Sequence, residues 1–303
     1  MSLKNVLIGG GSGFLGTRLT NLLKTVGYDV SIISRMPGAN RITWIDIEKN
    51  GLPKDTSAVV NLAGQNVLDP TKRWSPGFKQ NVWSSRINTT TMLAKAVAEA
   101  EQKPEVFVNI VGVSHYKPRA DPKPYDESHP GENYDFMSKL CVEWEKAAQL
   151  PEGSKTRLVQ VRTGAVVGRE GGMIKSMFVP FFLGVGGPLA SGKQFLPWIH
   201  VEDHASLVRF AIENQAVSGI LNGVAPEIVT NAEFSKTLAS SFTPPRPAIF
   251  PMPEFVVNLI FNEERAVIVT NGAKIEPKRT QELGFTYKYP DIKSACKEVA
   301  KLF

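Results

Sequence analysis

The first half of the chain alternates short apolar runs with longer stretches whose apolar residues recur every three to four positions. Runs at Val6–Gly9, Asp29–Ser34, Ala58–Leu62, Val106–Val113 and Leu158–Val167 predict buried strands. Helical spacing predicts helices from Gly16 to about Thr25, over Asn88–Ala100 and over Tyr134–Leu150. This alternation implies right-handed βαβ units on a mostly parallel sheet covered on both faces, a Rossmann-type doubly wound α/β fold. A ligand is then expected at the carboxyl ends of the strands, near the switch point.

From about Gly171 the texture changes. Gly171-Gly172, Gly184-Val-Gly-Gly187-Pro188 and Ser191-Gly192 predict a loop-rich stretch. Helical patterns return at Val201–Asn214, Asn231–Ser241 and Met252–Phe261, and Pro244-Pro245-Arg246-Pro247 reads as a rigid connector. The expected organisation is a cofactor-binding domain over 1–170, with a return contribution from about 195–225. A smaller substrate-side region over 171–303 packs onto it.

The sharpest local signal is Val6-Leu-Ile-Gly-Gly-Gly-Ser-Gly-Phe-Leu-Gly16. A strand-length run ends in Gly10, Gly13 and Gly16, and Phe14 and Leu15 lead into a helical pattern. Glycine lets the backbone turn sharply and lets a pyrophosphate approach the N–H groups at a helix N-terminus. Strand, glycines and helix in this order predict a dinucleotide site. An NAD site usually places an acidic residue roughly 20 positions further on, for the ribose 2′-hydroxyl. Here the second strand ends Ile32-Ile33-Ser34-Arg35. A hydroxyl followed by a guanidinium accepts a 2′-phosphate that a carboxylate would repel, so NADP is expected. Asn61-Leu62-Ala63-Gly64 closes the third strand with small residues, as suits chain running over the adenosine and pyrophosphate. Arg86, five residues after Asn81, is a candidate phosphate or ribose contact, although a helix-surface salt bridge would give the same pattern.

Composition narrows the picture. Hydrophobic residues make up 42% of the 303 positions and charged residues 21%, as in ordinary soluble proteins. No apolar run approaches the ~18 residues of a membrane span. No signal or transit pattern is visible, so a cytoplasmic location is expected, with organelle import still open. The net charge of +6 raises nucleic-acid binding. However, Lys274, Lys278, Arg279, Lys288, Lys293, Lys297 and Lys301 are interleaved with Glu276, Glu282, Asp291 and Glu298, the pattern of a solvated surface. Cys141, Cys296, His129 and His204 lack metal-ligand spacing, so no metal site is expected. The expected partner is a small-molecule substrate, with no nucleic acid or membrane; the oligomeric state is left open.

The Gly10–Gly16 fingerprint, Asn61-Leu-Ala-Gly64 and Pro197-Trp-Ile-His-Val-Glu-Asp203 resemble the extended short-chain dehydrogenases/reductases. More narrowly, Trp144-Glu145, Phe195-Leu-Pro-Trp-Ile-His200, Leu221-Asn-Gly-Val-Ala-Pro226, Thr230-Asn-Ala-Glu-Phe234 and Ile275-Glu-Pro277 resemble the atypical "epimerase family protein" group, family 39 type U. The resemblance covers essentially the whole chain. It implies NADP as cofactor, with contacts at Ser34 and Arg35, Leu62 and Ala63, Asn81, Arg86 and Val166. It also implies an oxidoreductase without a settled substrate.

Hydride-transferring members of this superfamily pair a tyrosine with a lysine four residues later, so that both share one helix face. Here Tyr134 and Lys139 are five apart, about 140° out of phase. Val111-Gly112 stands where a hydroxyl is expected. Three readings stay open: a π-bulge restores the shared face; Ser114, His115, Tyr116 or His200 supplies the proton; or the chain binds NADP(H) without catalysis, as a sensor or regulatory protein. An oxidoreductase acting on an unidentified small molecule is the leading expectation, and a nucleotide-sugar epimerase the weakest alternative.

Overall fold

Strand residues alternate between the two faces of a sheet, and here both faces are covered by helices. The computed structural model describes residues 4–38, 41–69, 71–119 and 123–301. The first half runs β1 (Asn5–Gly9), α1 (Phe14–Thr25), β2 (Asp29–Ser34), β3 (Arg41–Thr43), α2 (Trp44–Asn50), β4 (Thr56–Asn61), α3 (Pro76–Glu99), β5 (Val106–Gly112), α4 (Phe136–Ala147) and β6 (Arg157–Thr163). There follow β7 (Ala165–Val167), α5 (Gly172–Phe182), β8 (Phe195–Leu196), β9 (Trp198–His200), α6 (Val201–Glu213) and β10 (Gly219–Gly223). The chain continues through β11 (Val229–Thr230), α7 (Asn231–Ser240), α8 (Glu254–Phe261), α9 (Glu263–Thr270), α10 (Lys278–Glu282) and α11 (Ile292–Ala300).

Seven described strands form one sheet in the order β10-β6-β5-β4-β1-β2-β3, with every pairing parallel. This is the doubly wound sheet that the alternation predicts. Val6 and Ile8 face Leu19 and Leu23 of α1 and Leu207 and Val208 of α6, whereas Leu7, Val59 and Phe107 face Leu93 and Val97 of α3. Each fully buried aliphatic side chain contributes about 1.5–3 kcal/mol, so the two interleaved faces specify the register. Strand order reverses between β1 and β4, which opens a crevice at their carboxyl ends. A second core joins Trp198, Phe234, Leu238, Cys296 and Val299 from β9, α7 and α11. Among the described residues no helix is long and apolar enough to cross a membrane.

Several sequence expectations need correction. The helix expected over Asn88–Ala100 begins at Pro76, where the Ser75 hydroxyl accepts from Phe78 N and proline occupies the first turn. Polar residues between Phe78 and Thr90 hide its periodicity. The strand expected over Leu158–Val167 breaks at Gly164, where a Cβ would lie 2.6 Å from the Pro197 carbonyl oxygen. There the chain leaves the main sheet, and β7 pairs with β9. The stretch read as loop after Gly171 contains α5, despite Pro180 within it. The helix expected from Tyr134 starts at Phe136, capped by a reciprocal pair between Asp135 and Ser138.

Candidate cofactor cleft and substrate cavity

At the end of β1, Gly10 has φ 76°, and its N–H donates to Ile33 O at 3.3 Å. A Cβ there would lie 2.9 Å from Leu62 O and Ala63 N, so glycine lets the turns after β1 and β4 touch. A Cβ on Gly16 would collide with the Gly10 carbonyl, which locks the helix against the turn. Gly13 is the N-cap of α1, which has no side-chain cap and no acidic residue in its first turn. The N–H groups of Phe14, Leu15 and Gly16 therefore begin a helix whose positive end is uncompensated. The Phe14 ring reaches across to the backbone of Gly168 and Gly171.

The crevice brings most of the expected cofactor residues together. Ser34 ends β2 and the exposed Arg35 follows it, beside Gly10, and Arg35 makes no ion pair among the described residues. Leu62 and Ala63 form the facing turn. A buried clamp holds that turn: Asn61 Oδ1 accepts from Ala63 N at 3.1 Å, and Asn61 Nδ2 donates to Thr90 Oγ1 at 2.7 Å and Asn109 Oδ1 at 3.1 Å. Trp144 Nε1 donates to the same Thr90 hydroxyl.

Arg86 borders this turn, since a Cβ on Gly64 would lie 2.9 Å from its guanidinium carbon. It stacks over Trp144 at 5.0 Å and donates to Val82 O, with no carboxylate partner among the described residues. Burial pushes its pKa down to about 10. A desolvated cation without an anion is a place where an anionic ligand gains most. Asn81 is exposed on α3, about 140° around the helix from Arg86, and no hydrogen bond joins it to the cleft among the described residues.

A cavity of about 350 Å³ opens at the carboxyl ends of β5 and β6, with Ser114, Tyr134, Thr163, Val166, Met177 and Val267 among its walls. Val166 links the two halves of the site, because the chain from Val166 to Gly171 runs from the cavity wall to the Phe14 ring. The proposed π-bulge is absent. Tyr134 lies outside α4, and Lys139 is exposed in its first turn. The Tyr134 hydroxyl lies 3.0 Å from Ser114 O and 3.1 Å from Tyr116 O, and burial drives its pKa upward.

The other expected proton donors divide. Ser114 lines the cavity. Tyr116 also borders it, but its hydroxyl donates to Asn222 Oδ1 at 2.7 Å and accepts from Arg162 Nη1 at 2.8 Å. His115 is buried beneath Gly131, and His200 caps α6 and lies against Tyr289; neither reaches the cavity walls. Sequence reasoning missed Thr163, a residue of the cavity wall whose hydroxyl lies 3.1 Å from Nε2 of the buried His204. Its place at the end of β6 was the available signal.

Behind the cavity, Glu145 accepts from Arg162 Nε at 2.6 Å and from Nη2 at 3.0 Å. Asn222 continues this network, and its N–H donates to Glu127, whose carboxylate also accepts from Arg279 N and Thr280 N. The C-terminal segment is thereby bonded to the sheet edge. A charged residue inside the apolar pattern of β6 was the sequence signal for this network.

The model of the NAD dependent epimerase/dehydratase family matches residues 6–222, and that of a domain of unknown function matches residues 252–299. The chain is 50% identical over 295 residues to the epimerase family protein SDR39U1 of Bos taurus, covering 97% of this chain and 99% of that protein. It is also similar to a crystal structure of human epimerase family protein SDR39U1 (isoform 2) with NADPH. The TM-score is 0.95 at 46% identity, over 99% of this chain and 100% of the other. UDP-N-acetylglucosamine 4-epimerase from Bacillus cereus, at 20% identity and TM-score 0.76 over 99% of this chain and 98% of the other, shares the fold. By the extent of the family match and the half-identity along nearly its whole length, the chain belongs to the NAD dependent epimerase/dehydratase family, among the extended short-chain dehydrogenases/reductases and within their epimerase family protein group.

Proposed function

We propose that this chain binds NADP(H) across the β1–β4 crevice and acts as an oxidoreductase on a small molecule in the adjoining cavity. The observation that carries the proposal is that the chain runs from Val166 in the cavity wall to the Phe14 ring at the start of α1. The uncapped N-terminus of α1 and Arg86 would take the pyrophosphate, and Ser34 and Arg35 the 2′-phosphate. The human relative is described with NADPH, which supports the same cofactor here. When bound, the cofactor supplies or accepts a hydride at its nicotinamide. Ser114, Tyr134 and Thr163 line the cavity and carry the hydroxyls that would orient a substrate oxygen and exchange its proton.

Arg35→Ala is expected to weaken NADPH binding ten- to a hundredfold, about 1.5–3 kcal/mol, and to leave NADH binding unchanged. Calorimetric titration of both nucleotides reads this out, and equal wild-type affinities would reject the NADP assignment. Arg86→Met should weaken both nucleotides by a similar factor. Because it removes a desolvated cation with no carboxylate partner, the variant without nucleotide should melt no lower than the wild type. A lower melting temperature would show that Arg86 serves the fold instead.

One observation favours a second reading, in which NADP(H) is bound but not turned over. The Tyr134 hydroxyl faces backbone carbonyls and Lys139 is exposed to solvent, so Lys139 does not activate the phenol. Incubation with isotopically labelled NADPH and a metabolite extract separates the readings. Label in a metabolite supports the oxidoreductase, and its absence from every metabolite supports the binding protein.

A further inference from the structure

The cavity walls are unequal in chemistry. Met173, Met177, Phe195, Leu196, Val267 and Ile268 make one side apolar. The hydroxyl-bearing residues Ser114, Tyr134 and Thr163 gather at the other side, where Gly112 of β5 is paired with Thr163 of β6. Asn231 Oδ1 accepts from Leu189 N, and Gln194 Nε2 donates to Leu189 O and Val269 O, so these two of the three lining amides are engaged by the walls themselves; the third, Asn271, is exposed. No lysine or arginine is among the described lining residues. Asp135, the one acidic residue among the described lining residues, accepts from Ser138 N as the cap of α4.

A diphosphate brought into such a cavity would lose its hydration without gaining a counter-charge. An apolar body would instead gain in proportion to the surface it removes from water. We infer that the cavity takes an uncharged, largely apolar molecule whose one oxygen function, a carbonyl or a hydroxyl, faces Ser114, Tyr134 and Thr163. The direction in which that oxygen points rests on the cofactor reading above; the absence of a place for a diphosphate does not. The chemistry of these walls thus separates the chain from enzymes that hold nucleotide sugars, even though the fold is shared.

The test uses the full-length protein, with and without NADP+, and three probes: acetophenone, cyclohexanone and UDP-glucose. Saturation-transfer NMR and calorimetry are expected to show saturable ketone binding and none of UDP-glucose. Met177→Arg, which places a cation in the apolar wall, should weaken ketone binding about tenfold or more, whereas Met177→Leu should preserve it. NADPH affinity should stay within about twofold in both variants, since Met177 lies on the substrate side. Should Met177→Arg fail to fold, contacts from the Met173 and Met177 methyl groups to acetophenone in the wild type give the same readout. UDP-glucose binding more tightly than the ketones would overturn the inference. So would the absence of ketone binding to a protein that binds NADPH, or ketone binding unchanged by Met177→Arg. Failure to bind NADPH overturns the cofactor reading alone, because ketone binding is measured without nucleotide as well.

Discussion

Arg162→Met is expected to destabilise the protein by about 3–5 kcal/mol, the usual cost of leaving one member of a buried ion pair behind. For a chain of this size that corresponds to a fall in melting temperature on the order of 10 °C. Arg162 is 4% exposed and makes a two-pronged contact with Glu145. It also donates to the Tyr116 hydroxyl and to His129 O. Removing it leaves the largely buried Glu145 carboxylate with only the His115 ring beside it, Nδ1 at 3.5 Å, and with the Tyr116–Asn222 bond at its edge. The double variant Arg162→Met with Glu145→Leu should recover part of the loss, because no charge then remains desolvated. Urea unfolding of the wild type, both single variants and the double variant measures the coupling. A loss below about 1 kcal/mol in Arg162→Met would show that solvent reaches the pair.

A steep loss of stability between pH 6.5 and 5 is the second large effect. His200 and His204 are held down to about pKa 4 and His115 to about 3, in each case chiefly by burial; the nearby Arg162 charge adds to the effect at His115. Unfolded histidine takes up its proton near pH 6.5, so below that value the unfolded chain binds more protons than the folded one. Stability is therefore fully present above about pH 6.5 and declines as the pH falls towards 4. Each histidine costs up to about 1.4 kcal/mol per pH unit in that window. Three together approach about 4 kcal/mol per unit, a large share of the 5–15 kcal/mol typical of folded proteins. Asp203, whose pKa is raised by burial, acts with the opposite sign but in the carboxylate range. Urea midpoints measured from pH 8 to 5 should be flat to about 6.5 and then fall. His200→Gln should reduce the slope by one proton, and a midpoint constant down to pH 5 would contradict the assignment.

The crevice at the end of β1 was legible in the sequence because it is local. Gly10 to Gly16 encode a strand, a turn and a helix start within one stretch, and Ser34 and Arg35 sit where the next strand must end. Backbone geometry and strand adjacency carry this signal, and neither depends on distant side chains. The substrate half was not legible. Tyr134 and Lys139 could be counted as five apart. Their separation could not be judged until the Asp135–Ser138 cap placed Tyr134 outside the helix. His115 and His200 looked equivalent to Ser114 as proton donors, yet only Ser114 reaches the cavity. Thr163 drew no attention because its partner, His204, lies forty-one residues away on α6.

By itself, then, the sequence determined the parallel sheet, the position of the crevice and the kind of anion that crevice suits. The first two follow from periodicity and from glycine's freedom at one turn, and the third from a hydroxyl and a guanidinium, Ser34 and Arg35, where an acidic residue would favour NAD. The tertiary structure alone decided what surrounds the cavity, which hydroxyls reach it and where Arg162 finds its carboxylate. Those properties depend on strand ends, α5 and the C-terminal segment meeting in space. Contacts between residues far apart in the chain leave no spacing for a one-dimensional pattern to show.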